Sequence, residues 1–99
     1  MTRYNEDMRP VIVRAKDAGV HFGLLEAFEG RSVWLRQSHR LWKWKAVGGV
    51  ALSGVALTGI VHAESKVDAL ADRIIILDAC EIIDATEDCE ASIRAYQLR

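Results

Sequence analysis

Between Val11 and Ala15 the chain alternates, with Val11, Val13 and Ala15 on one side and Ile12 and Arg14 on the other, and β-branched residues dominate the run. A period of two over such residues predicts a strand. Pro10 has no backbone donor and suits the position just before it. Lys16-Asp17-Ala18-Gly19 has turn chemistry, because aspartate bonds its own backbone and glycine takes a positive φ, so a hairpin is expected. Its second arm, Val20 to Glu26, places Val20, Phe22 and Leu24 on one face and His21, Gly23 and Leu25 on the other. Gly23, lacking a side chain, marks a bulge or the close approach of a ligand or another backbone. Glu29-Gly30-Arg31 predicts the next turn and Ser32 to Arg36 a third strand. Gln37-Ser38 then reads as a tight connection into a fourth, His39 to Trp44, with Leu41 and Lys43 facing one way and Arg40, Trp42 and Trp44 the other.

From Ala46 to Ala63, 18 residues carry no formal charge, and Trp42, Lys43, Trp44 and Lys45 precede them. That profile mimics a membrane span with an aromatic and cationic edge. Its length is at the lower limit, and Gly48, Gly49, Gly54, Gly59, Ser53, Thr58 and His62 dilute it, so no membrane span is expected over 46–63. The pattern instead predicts a loop at Gly48-Gly49 and a short central helix across Val50 to Thr58, ended by Gly59. Being apolar all round, that helix is buried against the sheet, a neighbouring copy, or both.

Glu64 to Asp72 is charged, and reads as irregular or as a short helix. Ile74-Ile75-Ile76-Leu77 opens a β-rich run, Arg73 to Asp84, that is apolar on both faces and so expected at the centre of the sheet. Asp78 and Glu81 mark a bulge in it or split it into two strands. Thr86 is a good N-cap, and Glu87 and Asp88 complement the helix dipole, so a C-terminal helix is predicted to about Gln97. Cys89, Ile93 and Tyr96 take its buried side, and Glu90 and Arg94 are spaced to pair across one turn. The sum is an α+β fold: a small antiparallel sheet or partly open barrel of about five strands, with one short central helix and a C-terminal helix.

Length and composition agree with one domain. Of 99 residues, 51% are hydrophobic and 27% charged, with a single proline, which is a globular and not a disordered composition. Residues 1–9 mix acids and bases without a period and read as a flexible arm, or one that orders on a neighbour. Residues 10–99 form the domain. A chain this short has little surplus over its entropy, so self-association as a homo-oligomer is expected.

The net charge of -1 hides an asymmetry. Arg31 to Lys45 holds five Lys/Arg and no acid, whereas Glu64 to Glu90 holds nine Asp/Glu against Lys66 and Arg73. A surface basic enough for duplex nucleic acid is absent. A local anion site, or pairing of basic and acidic faces between copies, fits better. The first ten residues have no apolar run, so a reducing cytoplasm is the default. Cys80 and Cys89, with His21, His39 and His62 scattered singly, make no zinc pattern, and no metal or cofactor is assigned.

No phosphate-cradling glycine loop, nucleophile elbow, paired helical histidines or Cys-x-x-Cys occurs. Glu26, Glu29, Asp78 and Glu81 are carboxylates that a surface explains as well as catalysis does, so no catalytic residue is assigned and a non-enzymatic role is expected. The stretch with candidate chemistry is Val33 to Lys45, which holds all three tryptophans together with Arg36, Arg40, Lys43 and Lys45. Indoles beside guanidinium groups offer stacking and anion pairing on one surface, as a nucleotide requires. The candidate ligand-binding residues are Arg40, Trp42, Trp44, His21 and Lys43. Two other assignments stay open: Trp42 and Trp44 filling a small core, and His21 bonded to a backbone carbonyl.

Ala18-Gly19-Val20-His21-Phe22-Gly23, Val33-Trp34-Leu35, Arg40-Leu41-Trp42-Lys43-Trp44 and Glu81-Ile82-Ile83 together resemble a family of small uncharacterised tailed-phage proteins, over most of Val11 to Thr86. The Arg-x-Trp-x-Trp run is the most specific part. Gln37, Ser38 and His39 depart from the Asn-Ala-Arg of those relatives, and Asp84 replaces their proline, which puts in doubt any anion contact made by the lost arginine. The resemblance implies a phage source rather than an activity. Two functions follow as expectations. One is a binding protein that sequesters a nucleotide-type signalling molecule of host antiviral defence, acting in the host cytoplasm. The alternative is a virion or assembly accessory protein acting through protein-protein contacts.

Overall fold

The computed structural model describes residues 3–4 and 8–96. Strands β1 (Arg3–Tyr4), β2 (Pro10–Ala15), β3 (Gly19–Glu29) and β4 (Ser32–Lys43) come first. They are followed by α1 (Leu52–Thr58), a 3-10 turn over His62–Glu64, β5 (Lys66–Val67), β6 (Ala71–Ile76), β7 (Ala79–Asp84) and α2 (Glu87–Arg94). The fold is α+β. Among the described residues six strands make one antiparallel sheet, in the order β6–β4–β3–β2–β7 with β1 beside β3, while the two-residue β5 pairs with the end of β4. Of the expected arm over 1–9, Arg3–Tyr4 thus pairs with Phe28 and Ala27, and residues 1–2 and 5–7 lie outside the described residues.

β6 and β7 sit on opposite edges of the sheet although only Leu77 and Asp78 separate them. So short a link reaches only if the sheet is rolled. Asp78 fastens the link to the β2–β3 turn, its carboxylate accepting from the Asp17 N–H and its carbonyl from the Lys16 N–H at 3.3 Å. Arg31 fastens it to the β3–β4 turn: its carbonyl accepts from the Ala79 N–H at 3.0 Å, and its Nε donates to the Ala79 carbonyl at 3.1 Å. β6 and β7 do not pair with each other, so the roll stays open.

Rolling gives the sheet two cores. Val11, Val13, Ala15, Leu25, Val33, Leu35, Ile76 and Ala79 fill the inside. Ile12, Phe22 and Leu41, on the other face, pack with Leu52, Val55 and Ala56 of α1 and Cys89 and Ile93 of α2. β2 is therefore the strand buried on both faces. The run Ile74 to Leu77 is not central as its composition suggests: among the described residues β6 has a neighbour on one side only, and while Ile74 and Ile76 turn inward, Ile75 is 50% exposed and Leu77 72%.

Gln37-Ser38 is also not a connection. β4 runs on through it, and the two residues bulge opposite Gly23, with Gln37 at φ +48° and Ser38 buried. A Cβ on Gly23 would lie 3.1 Å from the Leu35 Cβ and 3.2 Å from the Arg36 carbonyl, so the missing side chain is what lets the bulge close. Arg94 of α2 holds it from outside, donating from Nη1 to the Gln37 carbonyl at 2.6 Å.

The helices follow their end signals. α1 stops at Gly59, whose φ of +87° suits only glycine. Thr86 caps α2, its Oγ1 accepting from the Cys89 N–H at 3.1 Å while its hydroxyl donates to the Leu57 carbonyl at 2.8 Å, which ties the two helices together. α2 ends at Arg94, short of the expected end at Gln97, which lies outside the described residues. Glu90 and Arg94 pair at 3.5 Å as their spacing predicts. Among the described residues no helix is long and apolar enough to cross a membrane.

Candidate ligand-binding site

The last half of β4 leaves the β2–β3 hairpin and picks up β5. Arg40 is in register with His21 of β3, and Leu41 with Val67 of β5. One backbone and one side-chain bond lock the junction: the Asp68 N–H donates to the Arg40 carbonyl at 2.9 Å, and the His39 Nδ1–H donates to the Asp68 carbonyl at 2.9 Å. Leu41 is buried in the helix-side core, so its neighbours Arg40 and Trp42 are turned outward.

Trp42 is 70% exposed. Lys66 of β5 holds its ammonium 5.5 Å from the indole centroid, and Trp42, Lys66, Val67 and Asp68 line a shallow hollow of about 390 Å³. Arg40 reaches over Gly19: a Cβ there would lie 2.9 Å from its Nη2, so a glycine at this turn gives the guanidinium its room. One Asp68 oxygen accepts from the Ala69 N–H at 2.7 Å.

Of the five cations between Arg31 and Lys45, several are consumed inside the chain. Arg36 donates to Glu26 at 2.8 Å and faces Asp72 at 3.6 Å, Lys45 reaches Glu64 at 3.4 Å, and Arg31 clamps Ala79. Asp72 and Glu64 of the acidic stretch thus offset Arg36 and Lys45 of the basic one within one chain. Among the described residues no carboxylate pairs with Arg40, Lys43 or Lys66, and those three cations are grouped along the end of β4 and β5.

His21 does not add to them. It is half-buried, its Nε2–H donates to the Ala18 carbonyl at 2.8 Å, and burial together with the Arg40 guanidinium lowers its pKa below the usual 6.5. It is neutral at pH 7 and offers Nδ1 as an acceptor. Trp44 leaves the face altogether. β4 ends at Lys43, the Lys45 N–H turns to the Ser65 hydroxyl at 3.1 Å, and the lost alternation swings Trp44 against the core of Phe22, Leu41 and Val55. Of the expected trio Arg40, Trp42 and Trp44, the first two are exposed, whereas Trp44 packs against the core. Lys43 is exposed beside Lys66, its partner in register.

Other hollows carry less. One of about 460 Å³, at the open end of the roll, is lined by Phe28, Arg31, Val33, Cys80, Glu81 and Ile82, but Arg31 is spent on Ala79 and Glu81 on Arg14 at 3.2 Å. Another, of about 350 Å³, lies over the Glu26–Arg36 pair. Among the described residues no group of His, Cys, Asp and Glu is arranged to hold a metal ion. Cys89 is buried and its thiol pushed up to about 12 by desolvation, so it is inert as a nucleophile.

The chain belongs to a family described as a domain of unknown function (DUF6948), whose model matches residues 8–93. No curated protein and no solved structure matches it.

Proposed function

We propose that this is a non-catalytic, self-associating binding protein that stacks a flat, negatively charged small molecule of the nucleotide type on Trp42. The observation that carries the reading is the exposed indole of Trp42 with the Lys66 ammonium over its ring, and with Arg40 and Lys43 exposed on the same stretch of β4; among the described residues none of the three cations pairs with a carboxylate. An indole exposed to water has an apolar face to cover, and the Lys66 ammonium beside it, with Arg40 and Lys43 further along β4, favours an anion there. Stacking on one aromatic face contributes about 1–3 kcal/mol, and the cations add phosphate pairing that weakens with salt. Asp68, at the rim, suits a sugar hydroxyl or base amino group. The resemblance to small phage proteins makes sequestration of a defence signal in the host cytoplasm the biological form of this reading.

The alternative, a virion or assembly accessory protein, is favoured by a different observation: Val47, Val50 and Leu57 are exposed around α1, at 61%, 95% and 62%. Tryptophan fluorescence titrated with cyclic dinucleotides and ADP-ribose at low salt separates the two. The nucleotide reading expects quenching that saturates and is reversed by Lys66→Ala. No response to any of them, with the protein present in purified particles, supports the alternative.

A further inference from the structure

We propose that the free edge of β6 pairs with the same edge of a second copy of this chain, continuing the sheet across a two-fold axis. This names the surface for the self-association part of the reading above and is independent of the ligand.

A strand edge presents unpaired N–H and C=O groups, and proteins that stay single blunt such edges with bulges and charge. The rolled sheet has two, and they are built differently. β7 bulges where Arg14 pairs with Glu81 and Ala15 with Ala79, and it exposes Cys80, Glu81 and Asp84. β6 pairs with β4 without a register shift from Ile76 to Ala71, and among the described residues no segment pairs with its other side. It exposes Ile75 at 50%, with Leu77 and Leu70 at its two ends 72% and 57% exposed. Its charges give no protection, since Arg73 is held by Glu26 at 2.9 Å and Asp72 by Arg36 at 3.6 Å.

The occupant is set by the strand's own pattern. Antiparallel pairing about a two-fold axis through the sheet at Ile75 puts Ile75 against its counterpart, Ile74 against Ile76, and Arg73 against Leu77. Isoleucine meets isoleucine in the pairs at the axis, and Arg73 faces an apolar residue rather than a second arginine. The net charge of -1 adds little repulsion between copies. β5 and β6 both line the side of β4 away from β3, so the second copy settles beside Leu70 and the Trp42 hollow.

Size-exclusion chromatography with light scattering tests this on the full chain. The wild type is expected at twice the 11.1 kDa chain mass, and Ile75→Lys and Leu77→Lys each at the single mass with an unchanged far-UV spectrum. Amide exchange adds a readout at the edge itself: β6 is expected to exchange at least about tenfold faster in Ile75→Lys, while β7 does not change. A wild type that stays at 11.1 kDa at millimolar concentration overturns self-association and the edge together. An oligomer that survives both substitutions, with β6 exchange unaltered, overturns the edge alone.

Discussion

Trp42 and Trp44 stand two residues apart and end in opposite environments: Trp42 is 70% exposed beneath the Lys66 ammonium, while Trp44 packs against the core that contains Phe22 and Leu41. The turn of the chain after Lys43 is what separates them. The two substitutions therefore diverge. Trp42→Ala is expected to change stability by less than about 0.5 kcal/mol, as exposed positions do. Trp44→Ala is expected to cost about 2 kcal/mol, roughly half the loss for a fully buried tryptophan. Thermal melts check both, and iodide quenching of the native protein is expected to fall mainly on Trp42.

Acid sensitivity has two separable sources. Arg73, bonded to Glu26, and then Arg36 hold the Glu26 carboxyl below its usual 4.5, so its stabilisation is complete above pH 4.5 and lost as pH falls through the lowered value. His21 works from the opposite charge type. The fold favours its neutral ring, so stability falls as pH drops below 6.5 and the imidazole must be protonated. Denaturant melts across pH 3–8 are expected to lose the lower step in Glu26→Gln and the upper step in His21→Gln.

The two cysteines are expected to differ in reactivity. Cys80 is exposed on β7, whereas Cys89 is fully buried with its thiol pushed up to about 12. Titration with a disulfide reagent should find one thiol per native chain, and the second only after denaturation.

Gly59 combines a φ of +87° with a site where a Cβ would lie 2.4 Å from the Ser92 Cβ. Gly59→Ala thus forces both backbone strain and a shift of α2, and is expected to cost at least about 3 kcal/mol. Gly30, also at positive φ but with nothing within 4 Å, is the control: Gly30→Ala is expected to cost about 1 kcal/mol. Urea melts of the two variants measure the difference.

Much of the fold was legible because its signals are local. The Asp17–Gly19 and Gly30 turns, the Gly59 stop and the Thr86 cap each depend on residues next to them. What was not legible depends on distant pairing. Ile74 to Leu77 has a central strand's composition, but among the described residues β6 pairs with β4 alone, which makes it an edge. Gln37-Ser38 has a turn's composition, and becomes a bulge because Gly23 lies opposite. The site was half visible: Arg40 and Trp42 follow from alternation, but Lys66 and Asp68 sit in the acidic half of the sequence and reach Trp42 only through β5. Trp44 was misplaced because alternation was extended one residue past the strand's end.

Calorimetric titration of wild type and Trp42→Ala with ADP-ribose and cyclic dinucleotides, at low salt, bears most directly on Trp42 as a platform for a flat anion. Saturable binding by the wild type, weakened at least about tenfold in a Trp42→Ala protein of unaltered melting temperature, is the expected result. Equal affinity in the two proteins, or no heat with any of these ligands, would contradict it.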